Sequence, residues 1–93
     1  MKTLALALLV ATLFVAATYA EGVVLQPVES SLISQAGYDP ATQMMAVKLV
    51  ENSDLYFYKG VPQEIYDGFV AAESKGAYFV ENIKGKFDED LAK

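Results

Sequence analysis

Apolar and polar positions alternate along three short stretches in the middle of the chain, Leu32 to Tyr38, Met44 to Val50 and Leu55 to Tyr58, and each predicts a strand. In the second stretch Met45, Val47 and Leu49 form an inner face, while Ala46 and Lys48 point toward solvent. In the third, Tyr56 and Tyr58 fall on one face and Leu55 and Phe57 on the other. Both faces of that strand carry large apolar bodies, so it is expected to be covered on both sides. Asp39-Pro40-Ala41-Thr42-Gln43 separates the first two stretches, with an Asp side chain and a fixed proline φ that each favour reversal. Glu51-Asn52-Ser53-Asp54 is a polar hairpin loop between the second and third. The pattern predicts a three-stranded antiparallel meander.

After Gly60 the period changes. Pro62 has the φ suited to a first helical position, and Glu64 puts a carboxylate at the positive end of the helix dipole. Ile65, Phe69, Val70 and Ala72 or Glu73 give one apolar side, predicting a helix to about Ser74, with Lys75-Gly76 at its end. Gly68 inside it costs about 1 kcal/mol relative to Ala, which points to a bulky ring lying against that position. Ala77 to Ile83 reads as a second short helix, with Phe79 and Ile83 one turn apart and Gly85 closing it. The expected architecture is α+β, a three-stranded meander followed by two short helices packed on one face. Residues 21–29 are a leader, either a flexible tether or an added edge strand. Residues 88–93 are an acidic tail, expected to fray.

The first 20 residues have a different character. Lys2, an uncharged run from Leu4 to Ala17 and the small-residue end Thr18-Tyr19-Ala20 make the three regions of a secretory signal, with a cut after Ala20 favoured and one after Ala17 second. That places the protein in the periplasm or outside a bacterial cell, touching a membrane only through the signal segment. What remains is 73 residues, a single domain, with six lysines against twelve acidic groups and a net charge of −6. The chain has no Cys, so an exported domain this small must be held by packing. Nine aromatic residues follow the signal; each can bury on the order of 150–250 Å². A homo-oligomer would help close such a core.

The residue inventory excludes much chemistry. There is no His, Cys or Arg, so the usual proton shuttle, thiolate and guanidinium clamp are missing, and structural zinc lacks its ligands. Carboxylate pairs such as Glu64 with Asp67 or Glu81 are better explained as helix-start charges and solvated faces. Glu51, Asn52 and Asp54, or Asp88, Glu89 and Asp90, lack the spacing of a calcium loop. The expectation is a protein that is not an enzyme and needs neither cofactor nor metal.

The candidate binding residues are Tyr56, Tyr58, Lys75, Lys84 and Lys86. Two tyrosines on one face can stack on a sugar, a base or a peptide, and lysines at the helix ends could gather beside them. The structural alternative has the tyrosines in the core and the lysines complementing helix C-termini.

The motifs occur in an order that resembles a known family. Ser30-Ser31 with Ala36-Gly37-Tyr38-Asp39-Pro40, then Tyr56-Phe57-Tyr58, then Val61-Pro62 with Tyr66, and last Ser74-Lys75-Gly76-Ala77-Tyr78-Phe79 with Ile83-Lys84-Gly85-Lys86-Phe87 are similar to the KTSC domain, over residues 30–87. The family is named for the C-terminal domain of some lysyl-tRNA synthetases and includes small stand-alone bacterial proteins; its hallmark is a central Tyr-x-Tyr. The resemblance implies a binding module of unsettled biochemistry, for which RNA binding has been suggested. The export signal, the acidic Asp88-Glu89-Asp90 and the absence of Arg depart from that suggestion. The expected partner is therefore a protein or peptide, with single-stranded nucleic acid as the alternative.

Overall fold

The computed structural model describes residues 18–20 and 22–92. The apolar run from Leu4 to Ala17, expected to belong to a signal, lies outside the described residues. The three expected strands are present as β3 (Ile33–Asp39), β4 (Met44–Leu49) and β5 (Leu55–Lys59). The sheet is larger than expected. The leader supplies β2 (Val23–Pro27), the acidic tail supplies β6 (Asp88–Leu91), and a three-residue β1 (Thr18–Ala20) extends the far edge. All neighbours are antiparallel, and the spatial order β1-β2-β3-β4-β5-β6 follows the sequence.

Local chemistry sets the turns. The Asp39 carboxylate accepts from the Ala41 N–H at 3.0 Å and the Thr42 hydroxyl at 3.1 Å, and Gln43 adopts φ 60° to bring the chain back. Asn52 does the same in the next hairpin, accepting from the Asp54 N–H at 3.0 Å, with Ser53 at φ 61°. These turns set Met45 opposite Tyr58, Ala46 opposite Phe57 and Val47 opposite Tyr56. In β3 a register shift between Ile33 and Gln35 brings Ile33 and Ala36, three residues apart, into one core cluster.

Gly60 turns out of β5 at φ 77°, a left-handed value that favours glycine. Pro62 then stands at the N-cap, with ψ 152°, rather than at the first helical position, and its carbonyl accepts from Ile65 N–H at 3.0 Å. Helix α1 (Gln63–Ala71) ends before Ser74 because Ala72 leaves the helical conformation. Ser74 caps the second helix, α2 (Lys75–Asn82), by accepting from the Ala77 N–H at 3.2 Å. The second helix therefore starts two residues earlier than the apolar spacing suggested. Val70, expected on the packed side of α1, is exposed.

Two core clusters sandwich the sheet. Under the helices lie Tyr58, Phe69, Phe79, Ile83, Met45 and Val47 with their neighbours. Val23, Leu25, Ala46 and Phe57 form a second cluster. Ala46 is thus buried, not solvent-facing, because β2 crosses its face of the sheet. Gly37 permits the crossing, since a Cβ there would stand 2.8 Å from Val23 Cγ1 and overlap the Val24 carbonyl. The aromatic strand is covered on both sides, by α1 and α2 on its Tyr face and by β2 on its Phe57 face.

Candidate functional site

Strand β5 places its two tyrosines differently. Tyr58 is 1 % exposed, packed edge-on to Phe79 with ring centroids 5.5 Å apart and planes at 77°. Tyr56 is half-buried, tilted against Tyr58 at 6.5 Å. Burial pushes the Tyr58 phenol up, and the Glu89 carboxylate pushes it further by favouring the protonated hydroxyl. Glu89 sits directly across the β5–β6 ladder from Tyr58.

Between this strand and α2 lies a pocket of about 200 Å³. Leu32, Leu49, Tyr56, Tyr58, Phe79 and Val80 make its apolar wall, and Lys84 and Glu89 add one charge of each sign. Three of the five candidate residues, Tyr56, Tyr58 and Lys84, therefore meet at one pocket.

Lys75 lies elsewhere. Its ammonium donates to the Ala72 carbonyl oxygen at 3.1 Å, completing the end of α1, and it lines a separate open groove with Glu29, Glu73 and Glu81. Lys86 is exposed and lines neither cavity. The lysines are not gathered into one patch, because the turn between the helices and the turn after α2 point them to different places.

Glu89 and Val80 were not legible as site residues. Glu89 belongs to a run that reads as a solvated tail, and only its pairing in β6 brings it to Tyr58. Val80 sits on the exposed side of α2, 51 % accessible, between buried Phe79 and Ile83.

A second aromatic pair holds α1 on the sheet. Tyr38 and Tyr66 stack at 4.7 Å with planes 10° apart, and the Tyr38 hydroxyl donates to the Val61 carbonyl oxygen. Burial raises the Tyr66 phenol first, then the Asp67 charge; the Tyr38 phenol is raised by burial and by the carboxylates of Asp67, Asp39 and Glu64. Among the described residues no three acidic side chains converge as a metal site would require, and no helix is long and apolar enough to cross a membrane.

An antiparallel sheet carrying a Tyr-x-Tyr strand, backed by two short helices and with a small pocket beside that strand, defines an α+β domain. The chain belongs to the KTSC domain family, whose model matches residues 29–87. It resembles the crystal structure of a KTSC domain protein from Yersinia pestis with a TM-score of 0.71 and 40% identity, covering 74% of this chain and 96% of that one. It is 44% identical over 63 residues to a small protein of Tsukamurella paurometabola, covering 68% of this chain and 92% of that protein. It is also 36% identical over 59 residues to a lysine–tRNA ligase of Nostoc punctiforme, covering 63% of this chain and 10% of the ligase.

Proposed function

We propose that this KTSC domain is an exported, non-catalytic binding module that recognises a protein or peptide by seating one apolar side chain in the Tyr56–Tyr58 pocket. One observation carries the reading: the tyrosine pair, Val80, Lys84 and Glu89 share a pocket of about 200 Å³. Sites for drug-sized molecules usually run to about 300–1,000 Å³, so this one suits a single anchoring side chain better than a whole metabolite. Lys84 and Glu89 stand ready to pair with polar groups flanking that anchor. Export rests on Lys2, the apolar run and the small residues before Glu21. The favoured cut, after Ala20, would detach β1 from β2.

The test is selection of peptides from a random display library on the intact domain, followed by titration of the enriched peptides against Tyr56→Ala and Lys84→Ala. The proposal expects an enriched apolar residue whose binding both substitutions weaken by about tenfold or more. Enriched peptides indifferent to both substitutions would sink it.

The likeness to a lysine–tRNA ligase favours a second reading, single-stranded RNA stacked on Tyr56 and paired with Lys84. The net charge of −5 for the whole chain opposes it. Absence of RNA binding at low salt, where phosphate contacts are strongest, would eliminate it.

A further inference from the structure

Strand β6 buries less of itself than β2, β3, β4 or β5. All four of its residues are exposed, and three consecutive ones are acidic. Its ladder runs Tyr56↔Leu91, Phe57↔Asp90, Tyr58↔Glu89 and Lys59↔Asp88, and contact with the core clusters comes from the residues just outside it, Phe87 before and Ala92 after. The Lys59–Asp90 ion pair, at 2.7 Å, joins side chains that are 52% and 61% exposed. Such a pair contributes about 0–1 kcal/mol. β6 also begins at Asp88, one residue past the segment the family model matches. Its neighbour β5 is the opposite case, with Phe57 and Tyr58 almost wholly buried and its other edge paired to β4.

From this contrast we infer that β6 is a displaceable strap, a built-in stand-in for the extended acidic peptide that the β5 edge binds. The inference rests on the peptide-binding reading above and names the chemistry of that partner. A peptide entering antiparallel to β5 takes over the ladder hydrogen bonds. A carboxylate at the Glu89 position reaches the Tyr58 hydroxyl, one at the Asp90 position meets Lys59, and Lys84 lies at the same pocket. An aliphatic residue at the Leu91 position stands opposite Tyr56. Because β6 occupies the edge most of the time, the apparent affinity is lowered by the fraction in which the edge is open.

The experiment uses the full chain and a labelled synthetic peptide of residues 87–93. The chain has no cysteine of its own, so Lys59→Cys with Asp88→Cys, a pair in register, can form one defined disulfide that locks β6 down. The oxidised form should bind the peptide at least about tenfold more weakly than the reduced form, and Glu89→Pro with Asp90→Pro, which must remove a ladder donor, should bind at least about tenfold more tightly than the unaltered chain. A peptide with its three acids changed to Lys should lose binding. Amide exchange in the intact chain should be at least about tenfold faster in β6 than in β4. Equal binding by locked and unlocked forms, equal binding of the charge-reversed peptide, or β6 amides that open only with global unfolding would each overturn the strap. Should the proline variant not fold, the oxidised-versus-reduced comparison decides alone. Display-selected peptides that need Tyr56 but ignore the lock would sink the strap and leave the pocket reading standing.

Discussion

The Tyr78 hydroxyl of α2 donates to the Ile65 carbonyl oxygen of α1 at 2.9 Å, which draws its ring directly over Gly68. A Cβ on Gly68 would stand 2.8 Å from Tyr78 Cζ and overlap the hydroxyl. Ala is the better helix former by about 1 kcal/mol, and overpacking against a tethered ring costs about 1–3 kcal/mol. Gly68→Ala is therefore expected to destabilise by up to about 2 kcal/mol in urea unfolding. The loss should shrink in a Tyr78→Phe background, where the hydroxyl is gone. A stabilised Gly68→Ala would show that the helices do not meet through this ring.

Gly37 is the corresponding contact on the other side of the sheet. Gly37→Ala would drive a methyl into the backbone of Val24, a group with little freedom to give way. The expected result is loss of about 1–3 kcal/mol, with faster amide exchange confined to Val23–Leu25 and their cover over Phe57. Exchange unchanged in those residues would mean that β2 does not depend on this approach.

Alkaline pH should unfold the domain through its phenols. Tyr58, Tyr66 and Tyr38 all hold their protons more tightly in the folded state, chiefly through burial. A raised folded-state value makes the stabilisation complete below the unfolded value of about 10 and lost as pH rises through the folded one. Between those two values each phenol still protonated only in the folded state removes about 1.4 kcal/mol per pH unit. Denaturant titrations between neutral and strongly alkaline pH should show a plateau and then a fall, less steep in Tyr58→Phe. An unchanged slope in that variant would contradict the burial of its hydroxyl.

Substitutions around the pocket should separate support from recognition. Phe79→Ala removes the ring packed edge-on to Tyr58 and is expected to cost about 3–5 kcal/mol, a large part of what so small a domain has. Lys84→Ala, on an exposed side chain, should stay within about 0.5 kcal/mol of the unaltered protein by thermal unfolding while weakening bound peptide. If Lys84→Ala unfolds the domain, the lysine is a structural residue.

The alternation of Tyr56, Phe57 and Tyr58, the turn chemistry of Asp39 and Asn52, and the glycine beneath a ring at position 68 are local signals, and the chain alone was enough to place β3, β4, β5 and both helices. The same letters implied the family. Tertiary structure alone decided that the leader and the acidic tail are strands. Neither Val23–Pro27 nor Asp88–Leu91 alternates apolar and polar residues along its sequence; β2 is strand because Gly37 lets it cross the outer face, and Asp88–Leu91 because β5 offers it an edge. It also decided that Ala46 is core and that Lys84, rather than Lys75 or Lys86, meets the tyrosines. Alternation says which side of a strand a residue takes, but what lies on that side is set by segments distant in sequence.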